Sequence, residues 1–224
     1  MLDTGRMPAL SGSLTYARLF VEGELPADFR ERFVEAIALR VMKPLEPEDD
    51  APERSGWCAM SDPFQLELDY EHVFYNSYVN LGFRTDRWVI PGPLLRAQVR
   101  DAQAEYLAKK GRERLGKREK EEIKEMVLRQ LRKQTAPVTR TIDLSWSLDE
   151  GIVRFFSHSQ RPILAMSDLF TKTFGLKLVP EAPFTLASRL GLTDEQQAAW
   201  DALEPTYLAA FPAALSSTLS TVEA

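Results

Sequence analysis

The chain has 224 residues, with 33 Asp and Glu against 28 Lys and Arg, so its formal net charge is −5. A chain of this length buries about 70% of its unfolded surface and needs no disulfide or metal to fold. The single cysteine, Cys58, excludes an internal disulfide, and the lack of a run of about 18 apolar residues excludes a membrane-spanning helix.

Residues 1–12 are predicted to be a flexible arm in front of an α+β domain. In LTYARLFVEG, apolar residues occur on both faces of an alternating strand pattern, which predicts a central strand. Next, Phe29, Phe33, Ile37 and Val41 are spaced by four and define one face of a helix. After an acidic, Pro-rich loop, GWCAM and FQLELDYEHVFYNSYVNLGFRTDRWVI are rich in aromatic and β-branched residues, which predicts successive strands that end at a PGP motif.

The following segment, 92–140, predicts two helices. The first carries an apolar seam at helical spacing, formed by Leu95, Val99, Ala102 and Tyr106. Gly111 after Lys109 and Lys110 suits the end of that helix, and a second helix is predicted over 117–133. Because the connection is short, the two helices are expected to form an antiparallel hairpin, which we call the basic hairpin.

After the hairpin, TRTIDLSWSL and GIVRFFSHS predict two strands around a turn. PILAMSDLFTKTFG then predicts a helix ended by Gly175, and LKLVPEAPF predicts a last strand. The predicted fold is therefore α+β, with antiparallel sheets, packed helices and an inserted, protruding helical hairpin. Its central domain comprises 13–91 and 141–187, and 188–224 are predicted to be a short helical segment and a tail.

Positive charge is concentrated in the basic hairpin. Between Leu94 and Arg140 lie 14 of the 28 basic residues and 7 of the 33 acidic ones, a net charge of +7 that leaves −12 for the remainder. Such a local excess favours a nucleic-acid partner. The candidate contacts are densest between the helices, at Lys109, Lys110, Arg112, Arg114, Lys117, Arg118 and Lys120. Others follow the two helices: Lys124, Arg96, Arg100, Arg129, Arg132, Lys133 and Arg140. Without a recognition-helix motif, zinc ligands or an aromatic stacking run, binding is expected to be independent of base sequence.

An alternative explains the same charges as a solvated surface. Opposite charges recur four residues apart, at Glu105/Lys109, Glu113/Lys117, Lys117/Glu121 and Glu125/Arg129. Such pairs stabilise any exposed helix by a few tenths of a kcal/mol each. Under this alternative the protein is an interaction module that docks its basic hairpin on an acidic partner protein.

A less favoured alternative is a magnesium-dependent nuclease. If ELDYEH is a strand, Glu67, Asp69 and Glu71 share one face and are suitable Mg²⁺ ligands. Glu122-Ile123-Lys124 matches the E-x-K triplet of some nucleases, but it falls within a predicted helix. His72 and His158 have no neighbouring Cys or His, so no zinc site is expected. We therefore predict no enzymatic activity, no cofactor and no metal.

The succession of elements resembles the family of the recombination-associated protein RdgC. The resemblance lies in VIPGPLLRAQVRDAQAEYLAKKGRERLGKREKEEIKEMVLRQL and in the strand-turn-strand-helix-strand unit that follows, TRTIDLSWSLDEGIVRFFSHS…PILAMSDLFTKTFGLKLVP. The start, YARLFVEGELPADFRERF…SGWCAM, is similar as well. The resemblance covers roughly 13–187 and rests on the order of elements rather than on any single motif.

This resemblance implies a homodimer that encircles double-stranded DNA without recognising base sequence and has no catalytic residues. Members of the family limit the loading and filament activity of the recombinase RecA. The single cysteine fits a reducing compartment, and together with the resemblance this predicts a cytoplasmic, nucleoid-associated protein. Typical members carry a further domain after the LVP strand, which 188–224 do not resemble. The expectation is therefore a C-terminally shortened relative, which binds as an open clamp if the ring does not close.

Overall fold

The structure is a computed structural model that describes residues 15–204. The chain divides into two compact units, Met1–Glu181 and Ala182–Ala224. The predicted arm at 1–12 and the predicted tail beyond 204 lie outside the described residues. In the described part, seven helices accompany one antiparallel sheet, which confirms the α+β class.

The first unit is built on a seven-stranded sheet. Its strands are β1 Ala17–Glu22, β2 Glu53–Cys58, β3 Phe74–Tyr75, β4 Tyr78–Arg87, β5 Val138–Ser147, β6 Ile152–Phe155 and β7 Lys177–Pro180. The order is β2-β4-β5-β6-β1-β7, with β3 on β4, and every pairing is antiparallel. The first predicted strand therefore is an interior strand, held between β6 and β7.

The helices of the first unit are α1 Phe29–Ala38, α2 Tyr70–Val73, α3 Gly92–Lys110, α4 Lys117–Gln134 and α5 Gln160–Phe174. The second unit contains α6 Pro183–Arg189 and α7 Asp194–Asp201. Gly111 and Gly175 end α3 and α5 in the left-handed conformation, with φ of 59° and 71°, as their positions in the sequence predict. Among the described residues no helix is long and apolar enough to cross a membrane.

One face of the sheet, which we call the helix face, holds the main core against α1 and α5. Phe33, Trp146 and Phe174 form an aromatic cluster there, with Phe33 and Phe174 ring centroids 4.8 Å apart. The buried Trp57 indole donates a 2.9 Å hydrogen bond to the Thr173 hydroxyl. Trp57 and Trp146 are thus core residues, and this packing fixes the sheet from which the basic hairpin emerges.

The opposite face buries polar groups as well. Cys58 is fully buried and its thiol lies 3.4 Å from the Gly82 carbonyl oxygen. Desolvation raises the pKa of this thiol to about 12, so it is neutral at physiological pH. Cys58 is therefore a small buried packing residue rather than a reactive nucleophile.

A buried ion pair occupies the same opposite face of β4. The Arg84 guanidinium donates to both carboxylate oxygens of Asp86, at 2.9 and 2.6 Å. The Thr139 hydroxyl donates to Asp86 at 2.8 Å, and Arg84 also donates to the Pro63 carbonyl at 3.0 Å. The Phe64 ring covers the guanidinium at 4.7 Å. The pair thereby joins β4 to β5 and to the segment before α2.

The prediction that ELDYEH is a strand is wrong. Residues 65–69 form no regular element, and Asp69 instead caps α2 by accepting a 3.1 Å hydrogen bond from the His72 backbone N–H. An aspartate at this position satisfies an otherwise unpaired helix donor, and that local bond outweighs the alternation of polar and apolar residues. Glu67, Asp69 and Glu71 therefore do not lie along one strand face.

Candidate nucleic-acid interface

The basic hairpin is inserted between two strands that are direct neighbours. Strands β4 and β5 pair along their whole length, and Arg87 at the end of β4 lies opposite Val138 at the start of β5. An ordinary connection here would be a tight turn. Instead α3 and α4, each about 28 Å long at 1.5 Å per residue, leave the sheet at this point, which we call the root.

An apolar seam of its own holds the hairpin together. Ile123, Val127 and Leu131 of α4 are buried, and they form a cluster separate from the main core. The residues packed against them are Ile90, Leu95, Val99, Ala102, Tyr106 and Leu115. All four residues of the α3 seam predicted from the sequence are in this set. Because the seam turns inward, the charged side chains of both helices turn outward.

At the root, two of the predicted contact residues bind the loop that precedes β2. Half-buried Arg132 donates to the Asp49 backbone carbonyl at 2.5 Å. The Lys133 ammonium lies 2.8 Å from the Glu48 carboxylate, and this hydrogen bond lowers the pKa of Glu48. Arg132 is the one predicted contact residue that is not exposed, and its contacts anchor the hairpin to the sheet.

The tip, residues 111–116, is organised by Glu119, which the sequence analysis did not single out. Its carboxylate accepts hydrogen bonds from the Gly116 backbone N–H at 2.8 Å, the Tyr106 hydroxyl at 3.2 Å and Arg112 at 3.3 Å. The bond from Gly116 is the main cause that lowers the pKa of Glu119. The signal in the sequence is an acidic residue three positions into a helix, where it bonds back to the N-cap backbone.

Glu119→Gln is expected to loosen the tip, because glutamine is a weaker acceptor and carries no charge for Arg112. The Gly116 amide should exchange its hydrogen several-fold faster, measured by hydrogen exchange with NMR detection. Since the folded pKa of Glu119 lies below its ordinary value of 4.5, its contribution is present above pH 4.5 and is lost as pH falls through the folded pKa. Protection of Gly116 in the unmodified protein should fall in that acid range.

Glu113→Gln is the matched control for this experiment. Glu113 is exposed in the same tip, and no hydrogen bond or ion pair to it is found within the described residues. Its replacement should leave Gly116 exchange unchanged. Equal acceleration in both variants would contradict the role given to Glu119.

Several hairpin cations are engaged by neighbouring carboxylates on the surface. Exposed pairs join Lys109 to Glu105 at 2.7 Å, Arg118 to Glu122 at 2.9 Å, Lys124 to Glu121 at 3.1 Å and Arg100 to Asp101 at 3.8 Å. Solvent-exposed pairs of this kind contribute about 0–1 kcal/mol each. They hold their cations weakly, so these side chains are available to a polyanion at low energetic cost.

Other hairpin cations have no ion-pair partner within the part of the chain that the structure describes. They are the exposed residues Arg96, Lys110, Arg114, Lys117, Lys120 and Arg129. Of the four charge pairs that the spacing suggested, only Glu105/Lys109 forms among the described residues. The Lys110 ammonium lies 5.9 Å from the centroid of the Tyr106 ring and forms no ion pair among the described residues. The hairpin thus has more positive charge than its own carboxylates neutralise.

The last predicted contact residue, Arg140, has a different position. It lies on β5 rather than on a helix, opposite Thr85 of β4, and it is exposed on the helix face at the root. The predicted strand TRTIDLSWSL already contains Arg140, but its partner Thr85 and the face on which it lies depend on strand register.

The described residues contain no group of three or more His, Cys, Asp or Glu side chains arranged to hold a metal ion. In the E-x-K triplet, Ile123 is buried in the seam and Lys124 is paired with Glu121. The geometry on which the nuclease hypothesis depended, carboxylates sharing one strand face, is not found.

Comparison with protein-family models finds no match, and comparison with curated proteins finds no significant match. The resemblance to the RdgC family thus stays a prediction from the order of elements in the sequence.

Proposed function

We propose that the chain is a sequence-independent double-stranded DNA-binding protein of RdgC type, which acts as a homodimeric clamp and limits RecA by occupying duplex. The observation that carries the proposal is the set of exposed hairpin cations without a carboxylate partner among the described residues. The mechanism is electrostatic occupancy, so no reaction is catalysed. The expected site of action is the nucleoid in the cytoplasm.

Counterion release supplies the binding free energy. Each phosphate that a hairpin cation neutralises releases condensed counterions, so log K falls with log salt at a slope of about 0.9 per contact. The rest of the chain carries a net charge of −12, so the positive charge that attracts DNA is confined to the hairpin segment. A duplex is therefore expected to bind at the hairpin.

The seam supports binding that is independent of base sequence. The seam residues of the two helices face each other, and the outward positions are occupied mainly by Lys, Arg and Glu. Long cationic side chains reach phosphates without a fixed donor pattern toward base edges. A clamp made by two copies rests on the resemblance and presents two such hairpins to one duplex.

The test is a salt series with two duplexes of equal length and unrelated sequence. Binding is expected to weaken linearly with log salt, with equal affinity for both duplexes, and the mass of the complex in solution should correspond to two chains. RecA filament assembly on the same DNA should decrease in proportion to duplex occupancy. Absence of duplex binding at about 50 mM salt, together with binding to polyglutamate, would favour the module that docks on an acidic protein.

A further inference from the structure

A groove of about 550 Å³ lies beside the root, on the helix face of the sheet, between β2, β4, β5 and the start of α5. Its volume falls within the about 300–1,000 Å³ typical of small-molecule sites. Part of its lining is apolar, from Phe83, Val138, Ile142 and Pro162. The rest includes three arginines, Arg87, Arg140 and Arg161, and we call it the arginine groove.

The charges of the arginine groove are unbalanced. Glu53 is its single acidic residue, and its carboxylate lies 2.9 Å from Arg161 and 3.9 Å from Arg87. Arg140 has no ion pair among the residues that the structure describes. Three guanidinium groups and one carboxylate leave a net charge of +2 in a lining that is otherwise neutral, which suits an anion with a charge of about −2.

The strand register brings two of the guanidinium groups within reach of one ligand. Arg140 of β5 lies opposite Thr85 of β4, and Arg87 comes two residues after Thr85 on β4. The side chains of Arg87 and Arg140 therefore both point to the helix face. Diagonal neighbours of this kind are about 7–8 Å apart. Two long arginine side chains at this spacing can both donate to one phosphate, whose oxygens match the guanidinium fork.

We propose that the arginine groove binds one nucleoside monophosphate. The phosphate engages the guanidinium groups of Arg87 and Arg140, and the nucleoside lies on the apolar lining, where the Ser157 and Ser159 hydroxyls offer hydrogen bonds. The Glu53 carboxylate, which lies near Arg161 and Arg87, competes with the ligand phosphate for these guanidinium groups. None of the six unpaired cations of α3, α4 and the tip lines the groove, and Arg140 is the one predicted duplex contact that does, so AMP binding is tested without any duplex present.

The test titrates the full chain with AMP, adenosine and inorganic phosphate by isothermal calorimetry. AMP is expected to bind at least about tenfold more tightly than either fragment, because only AMP uses both the charge and the apolar lining. Arg140→Gln and Arg87→Gln should each weaken AMP binding by about tenfold. Glu53→Gln should strengthen it, since the competing carboxylate is removed.

Arg32→Gln is the control, because Arg32 is an exposed arginine of α1 that pairs with Asp28 and does not line the groove. It removes the same charge and should leave AMP affinity unchanged. Thermal unfolding of each variant verifies that it is folded. The proposal is wrong if AMP binds no more tightly than phosphate, if Glu53→Gln does not raise affinity, or if a 5′-phosphorylated oligonucleotide binds the groove and AMP does not.

Discussion

Replacing the four unpaired cations around the tip, Lys110, Arg114, Lys117 and Lys120, with glutamine is expected to abolish most duplex binding. If each contacts one phosphate, the slope of log K against log salt should decrease by about 3.6, and affinity near 0.15 M salt should fall by about two to three orders of magnitude. Fluorescence anisotropy across a salt series measures both quantities. Glutamine keeps helix propensity, so α3 and α4 should remain folded.

A second quadruple variant tests whether DNA affinity depends on the local positive charge of the hairpin or on the total charge of the protein. It replaces four exposed cations of the central domain with glutamine: Arg32, Lys43, Lys172 and Lys177. The two variants have the same net charge, so a protein that responds only to total charge would lose affinity equally in both. The proposal predicts less than a threefold loss for the second variant and an unchanged salt slope. An unchanged affinity in the tip variant would show that the cations around the tip do not contribute to DNA binding.

Patterns among residues close together in the sequence predicted the two helices of the hairpin and their ends. The apolar seam of α3, the left-handed Gly111 and the extent of α4 all depend on residues within four positions of one another. Whether each cation forms an ion pair depends also on contacts in the folded structure. Glu121 is within reach of Lys117 and Lys124 and pairs with Lys124, while Glu119 is engaged by the tip. The spacing of charges along a helix identifies possible ion-pair partners, but the folded structure determines which of them pair.

The sequence analysis missed two features, the arginine groove and the buried ion pair, because both depend on how the chain folds around the paired strands. The arginine groove joins Arg87 and Arg140, which are separated by the whole hairpin along the chain, and it becomes visible only when β4 and β5 are paired. The Arg84 and Asp86 pair also escaped prediction. Alternation places both residues on one face of β4, but only the segment that contains Pro63 and Phe64 makes that face buried.

Asp86→Ala is expected to lower the free energy of unfolding by about 3–5 kcal/mol, because it leaves a buried guanidinium without its carboxylate. The side chains of Arg84 and Asp86 are only 9% and 2% exposed, so water cannot replace the lost bonds without opening the sheet. The Thr139 hydroxyl on β5 loses its acceptor as well. Urea unfolding measures the change, which is a large part of the about 5–15 kcal/mol that stabilises a typical domain.

Two further variants determine whether burial of the charge causes this loss. Asp168→Ala breaks an exposed pair with Lys172 in α5, whose side chains are 64% and 63% exposed, and should cost at most about 0.5 kcal/mol. The double variant Arg84→Met with Asp86→Leu removes both charges and should be more stable than Asp86→Ala alone, since no buried ion remains unpaired. A double variant as unstable as Asp86→Ala would show instead that the lost hydrogen bonds, from Arg84 to Pro63 and from Thr139 to Asp86, cause the loss of stability.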